Sequence, residues 1–214
     1  MTTYRLMMLG PPGAGKGTQA KKLAEKLKIP HVSTGDMLRE ARRKGTEMGK
    51  KAAEYMNSGQ LVPDEVVIGI VNDRLQEDDA AQGFILDGFP RTRGQAEALE
   101  AMGHLLDDVV NVSVDDEVVV ERLGGRLSCP ECGAVYHETN SPPETENRCD
   151  SCGHEGLIKR DDDQPEAIRE RLRGYHEKTA PLINFYEEKG LLRNVDGAQA
   201  PEDVLDKILD IIGN

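Results

Sequence analysis

This sequence predicts an α/β fold built around a parallel sheet, on three observations. A short apolar run, residues 6–9, ends on a glycine-rich turn. That turn leads directly into a stretch with the apolar spacing of a helix. Further apolar runs then alternate with helical patterns along the rest of the chain, as successive βαβ units require.

The first run is continuous rather than alternating, which suits a strand buried on both faces. Ala20, Leu23, Ala24 and Leu27 fall at i, i+3, i+4 and i+7, so residues 15–28 read as an amphipathic helix, with Pro30 stopping it. Val67, Ile70, Val71 and Leu75 mark another helix. Strands are expected at 84–86, 109–114 and 191–195. The last helix starts at Pro201, a residue suited to the first helical position, and buries Val204, Leu205, Ile208 and Ile212. Two stretches break the rhythm. Residues 33–62 are polar and charged and offer short helices with little apolar face, whereas 126–163 are rich in Cys, Gly, Pro and Asp. Both read as insertions on one core made of 1–32, 63–125 and 164–214.

A chain of 214 residues suits one such core better than two independent domains. Its net charge of −12 favours solubility and weakens any default case for nucleic acid or anionic membrane surfaces. Apolar runs stay far below the roughly 20 residues of a membrane span, and residues 1–9 lack the long apolar region of a signal peptide. A cytoplasmic protein is expected, with its four cysteines reduced or bound to metal rather than paired in disulfides.

Gly10-Pro11-Pro12-Gly13-Ala14-Gly15-Lys16-Gly17-Thr18 follows a strand and opens a helix, the context in which such a loop cradles phosphates. Glycines let backbone N–H groups converge on phosphate oxygens, the helix N-terminus adds partial positive charge, and Lys16 adds a full one. The plain alternative is a glycine turn with an incidental lysine. Gly17 stands where a magnesium-binding hydroxyl is usual, which weakens a GTPase or motor-ATPase reading, although Thr18 follows it.

Cys129, Cys132, Cys149 and Cys152 form C-x2-C-x16-C-x2-C, with a glycine directly after each pair. That spacing points to a tetrahedral structural metal site, zinc by preference. His137 or His154 would each serve in place of a thiolate, but four suitably spaced thiols already complete a closed shell.

The loop GPPGAGKGTQA, then Ser33-Thr34-Gly35-Asp36, then Asp87-Gly88-Phe89-Pro90-Arg91 together resemble adenylate kinase, and the likeness extends over essentially the whole chain. The resemblance implies a P-loop fold with a five-stranded parallel sheet flanked by helices. It makes 33–62 an AMP-binding insertion and 126–163 a mobile zinc-bearing lid, with Gly124-Gly125 a hinge. It also implies reversible transfer from magnesium ATP to AMP giving two ADP, with no covalent intermediate, for adenine nucleotide homeostasis. Gly13, Ala14, Gly15, Lys16, Gly17 and Thr18 would hold ATP, joined by Arg122, Arg126, Val135, Tyr136 and Gln199. AMP would meet Thr34, Arg39, Gln60, Leu61, Val62, Gly88, Phe89, Pro90, Arg91 and Gln95, with Arg160 and Arg171 brought to bear when the lid closes.

Guanidinium forks match phosphate geometry and keep their charge, which suits Arg39 and Arg91 to the acceptor phosphate. Lys16, Arg91, Arg126, Arg160 and Arg171 would neutralise the transferring group, and Asp87 would hold magnesium through water. The partners expected are ATP, AMP and ADP, with no nucleic acid or membrane, and the chain is expected to be a monomer. Two rivals remain: a related kinase for another monophosphate, and a zinc-ribbon nucleic-acid ATPase. The acidity of 126–163 and its single aromatic ring, Tyr136, count against the second.

Overall fold

A computed structural model of the chain describes residues 3–212; residues 1–2 and 213–214, at the ends of the expected core, lie outside the described residues. The first apolar run is β1 (Tyr4–Leu9), and the predicted helix is α1 (Lys16–Leu27). Lys28 ends that helix in the left-handed conformation, its N–H bonded to the Ala24 carbonyl, so Pro30 only follows a stop already made. Strands β3 (Gly83–Asp87), β4 (Asp108–Ser113) and β7 (Leu192–Asp196) form at the three later runs. The fifth strand of the expected sheet, β2 (His31–Ser33), was not located from the sequence; three residues, two of them polar, leave no periodic trace.

The sheet order is β2-β3-β1-β4-β7, and every pairing is parallel. Both faces are covered. Leu6 and Met8 pack with Ala20 and Leu23 of α1 and with Val204, Leu205 and Ile208 of α9 (Pro201–Ile211). Met7 and Leu9 face Val67 and Val71 of α4 (Asp64–Leu75), Ala96 and Leu99 of α5 (Arg93–Ala101), and Leu182 and Tyr186 of α8 (Pro181–Glu188). Burying a side chain such as Leu86 contributes about 1.5–3 kcal/mol. The strands read as unbroken apolar runs because neither face meets water.

Residues 33–62 hold α2 (Thr34–Arg43) and α3 (Glu47–Asn57), capped by the side chains of Ser33 and Thr46. Their apolar faces are as small as expected: Thr34 and Leu38 are buried on one, Gly49 and Ala52 on the other. The helices compensate by close approach, since a Cβ on Gly49 would collide with the Ala41 carbonyl.

Helix α6 (Asp116–Gly124) leads into residues 126–163 and α7 (Pro165–Gly174) leads out, joined at the base by Val119, Leu123, Ile168 and Leu172. Between them β5 (Arg126–Ser128) and β6 (Val135–His137) form an antiparallel pair. One π-helical turn, Tyr175–Thr179, separates α7 from α8. Among the described residues no helix is long and apolar enough to cross a membrane.

Candidate active site

The C-terminal ends of β1, β2, β3 and β4 open onto one crevice, beside the point where the chain order reverses around β1. Leu9 runs there into the glycine loop. Gly10 has no room for a side chain, because a Cβ would strike the Val112 carbonyl of β4. Gly15 caps α1 at φ 94, a left-handed conformation that glycine takes without strain. No acidic residue occupies the first turn of α1, so its free N–H groups keep their pull on an anion. Lys16 Nζ donates to the Gly10 and Pro11 carbonyls at 2.8 and 2.7 Å. Burial lowers its pKa to about 7; Asp87 opposes this, while Arg91, Arg171 and Arg126 add to it.

Gly17 acquires a physical reason here. A Cβ at that position would lie 3.1 Å from Asp87 Oδ2, so the missing side chain makes space for the carboxylate at the end of β3. Asp87 also meets His31 Nε2 at 3.3 Å across the β2–β3 pairing. Burial opposes its charge, but His31, Lys16 and Arg91 outweigh it and hold the carboxyl below the usual range. An ionised carboxylate beside the phosphate loop fits a water-bridged magnesium ion, which needs few protein ligands. Thr18, one residue on, is exposed.

Past β3, Gly88 has φ +80, and a Cβ there would crowd Thr34 Oγ1 and Arg91, so three candidates meet at one point. Thr34 Oγ1 donates to the Gly88 carbonyl at 3.0 Å, and Arg91 Nε donates to the same oxygen at 2.8 Å. Phe89 is fully buried, and its bond to Pro90 is cis. The π turn brings in Thr179, whose hydroxyl donates to the Arg91 carbonyl. Gln95 is buried at the start of α5. Arg39 is paired with Asp36 at 2.6 Å. Of the loop before α4, Val62 is buried, Leu61 half-buried and Gln60 exposed.

Residues 126–171 supply the facing cations. Arg126 grips buried Asp163 with both Nε and Nη2, and Arg171 Nη1 meets Asp162 at 3.0 Å and Asp163 at 3.2 Å. Arg160 Nε donates to Ser128 Oγ. Burial and then the repulsion of Arg126 and Arg39 push Arg160 down to about 10, and burial lowers Arg91 and Arg171 as well. Six cations, Lys16, Arg39, Arg91, Arg126, Arg160 and Arg171, thus share the crevice with Asp36, Asp87, Asp162 and Asp163. Such an excess of confined positive charge suits polyanions. Of these aspartates, sequence reasoning assigned a role to Asp87 alone; it also missed His31 and Thr179. Asp36 stands three residues before Arg39 on α2, a helical spacing the sequence displays, whereas only the fold pairs Asp162 and Asp163 with arginines.

Arg122 Nη2 donates to the Gly197 carbonyl at 2.9 Å, and Gly197 lies against the Ala14 carbonyl, which brings the loop after β7 to the phosphate loop. Gln199, in that loop, is bonded to Asp196 and Lys207. Val135 is exposed, whereas Tyr136 is buried between Cys129 and Cys149, so its ring belongs to the interior of the cysteine segment.

The four cysteine sulfurs lie within 4.8 Å of one another, as tetrahedral zinc–thiolate geometry requires. The Tyr136 hydroxyl accepts the Asp150 N–H at 2.8 Å, which leaves its proton for Cys149 Sγ at 3.4 Å. That hydrogen bond pulls Cys149 down to about 6, toward the thiolate that binds metal. His137 bonds instead to its own turn and to Glu121, which favours the four-cysteine set.

A family model described as Adenylate kinase matches residues 8–191. The chain is 57% identical over 211 residues to the adenylate kinase of Archaeoglobus fulgidus, covering 97% of each. It is 55% identical over 208 residues to that of Desulforamulus reducens, covering 95% of this chain and 97% of the relative. Against the adenylate kinase of Lachnospira eligens the identity is 52% over 213 residues, covering 98% and 100%.

Proposed function

The chain belongs to the adenylate kinase family and moves a phosphoryl group between ATP and AMP, and we propose that it does so in the crevice between the phosphate loop and the end of β3. The observation that carries this assignment is the convergence of Lys16, Arg91, Arg126 and Arg171 on one electrostatic neighbourhood beside Asp87. The donor triphosphate lies on residues 13–18, with Arg122 and the loop of Gln199 on its adenine side. AMP lies against Thr34, Arg39, residues 60–62, residues 88–91 and Gln95.

Charge placement accounts for the chemistry. A transferring phosphoryl group spreads negative charge over its oxygens, and preorganised cations stabilise that charge without reorganising. Lys16 exchanges its two carbonyl partners for phosphate oxygens, and the arginines exchange part of their carboxylate contacts. No general base is required. Magnesium would neutralise part of the phosphate charge, and Asp87 is the residue that would hold it, through water. Closure of residues 126–163 over the donor excludes water, which would otherwise take the phosphoryl group. We assign zinc to the four cysteines, with a structural role. The protein acts as a cytoplasmic monomer on free nucleotides.

A coupled assay of ADP formed from ATP tests this reading with AMP, GMP, CMP and UMP in parallel. AMP is expected to be strongly preferred. Equal use of all four, or ATP loss that nucleic acid stimulates and AMP does not, would overturn the acceptor assignment.

A further inference from the structure

Asp64, the first residue of α4, has no part in the assignments above, yet it ties α4 to the start of α5. Its Oδ1 accepts from Gln95 Nε2 at 2.7 Å, and its Oδ2 accepts from Thr92 Oγ1 at 2.7 Å. Thr92 Oγ1 in turn accepts the Gln95 backbone N–H at 3.2 Å, as the N-cap of α5. The Gln95 side-chain carbonyl accepts the Arg91 backbone N–H at 2.7 Å.

The polarity of this ring is forced. Backbone N–H groups only donate, so Arg91 N requires an oxygen opposite it and Gln95 N requires a lone pair on Thr92. The Thr92 proton must then go to Asp64. An ionised carboxylate only accepts, so it requires the NH2 end of Gln95. Both ends of the amide are therefore specified from outside. Turning it over would set its NH2 against the Arg91 N–H and its oxygen against the Asp64 carboxylate. With Gln95 almost fully buried, water does not relieve either clash.

We propose that Asp64 is a specificity-determining positioning residue: by locking the Gln95 amide in one orientation, it selects adenine over guanine in the acceptor monophosphate. The inference rests on the reading of Gln95 as part of the acceptor site. One N–H and one lone pair of the amide remain after the contacts above, in a fixed order. Adenine offers a donating 6-amino group beside an accepting ring nitrogen, which a glutamine amide matches. Guanine places an accepting oxygen at position 6, opposite the locked amide oxygen. An amide free to turn over would present its NH2 there and accommodate guanine. The carboxylate, acting with the Arg91 N–H at the other end of the amide, removes that option without touching the base.

Two variants test the lock. Asp64→Asn keeps the shape but offers either a donor or an acceptor to Gln95, and Asp64→Ala admits water, which is equally indifferent. Both are measured with AMP and GMP, beside Gln95→Ala, with melting curves as a check on folding. The GMP-to-AMP ratio of kcat/KM is expected to rise roughly fivefold to tenfold in Asp64→Ala, and less in Asp64→Asn. KM for AMP should carry the change while KM for ATP stays level. A purely structural role would depress AMP and GMP alike, and an unchanged ratio in both Asp64 variants would overturn the proposal. If Gln95→Ala leaves KM for AMP unchanged, the acceptor-site reading of Gln95 fails, and the lock with it.

Discussion

Lys16 stands between two sets of partners, the loop carbonyls it touches now and the phosphates it is placed to meet. With its pKa lowered to about 7, much of it is neutral at mildly alkaline pH. Polyphosphate favours the ammonium form, so binding raises the pKa and takes up a proton above pH 7. ATP affinity is therefore full below about pH 7 and falls as pH rises through it. Calorimetry at pH 8 in two buffers of different ionisation enthalpy should detect that uptake, and Lys16→Met should abolish it. The same variant should lose turnover by on the order of a hundredfold or more while keeping its fold. Near-normal turnover in the folded variant, or no uptake in the parent protein, would remove Lys16 from this role. Arg91, just after β3, is the residue we assign to the acceptor phosphate. Arg91→Ala should raise KM for AMP on the order of tenfold to a hundredfold, the loss expected for a charged hydrogen bond, with ATP binding little changed. Collapse of ATP binding with AMP intact would mean the two sites are exchanged.

Among the elements, α2 and α3 show a local preference reversed by packing. Glycine inside a helix is disfavoured by about 1 kcal/mol relative to alanine, so Gly49→Ala taken alone should stabilise α3. A Cβ there would meet the backbone of Ala41, which cannot move aside as a side-chain tip would. Overpacking of this kind costs typically about 1–3 kcal/mol and wins. Gly49→Ala should therefore lower the melting midpoint, and a rise would show that the helices separate at no cost. The cysteine segment makes the complementary case, since its few apolar residues surround a metal-sized cluster. Replacing Cys129 and Cys132 with Ser should remove zinc, as elemental analysis would report, and lower the midpoint, because metal binding is linked to folding. Phosphoryl transfer measured well below the new midpoint should largely survive. A zinc-free, folded enzyme without transfer would instead give the metal a chemical role.

Over the whole molecule, residues 33–62 and 126–163 touch through charged side chains. Arg42 meets Asp161 at 2.9 Å, and Arg43 lies 3.8 Å from Glu131. These side chains are largely exposed, and exposed pairs contribute only about 0.2–1 kcal/mol each. Weak ties suit a site that must admit two nucleotides and release two products in every cycle. Arg42→Ala should shift a fluorescence-transfer equilibrium between labels on α3 and on residues 126–163 toward open, by at most about fivefold. Salt should produce the same shift in the unaltered protein, since the pairs are screened. A larger effect, or one insensitive to salt, would mean that closure is held by something other than these pairs.

What the sequence by itself determined is whatever lies contiguous in the chain or repeats with a regular period. The phosphate loop, the cysteine quartet, the core strands and α1 and α9 are of this kind, because each is specified by neighbours a few residues apart. Resemblance extended that reading to the family, the sheet of five strands and the candidate nucleotide contacts. The tertiary structure alone decided the rest. Strand β2 exists because β3 pairs with it, not because three residues announce it. Gly17 matters because Asp87 arrives from another strand, and Arg126 and Arg171 acquire their carboxylates only when the chain folds back at 162 and 163. Asp64 meets Gln95 across 31 residues. Hydrogen bonds and ion pairs act over about 3 Å in space, and their partners' separation along the chain leaves no periodic signal.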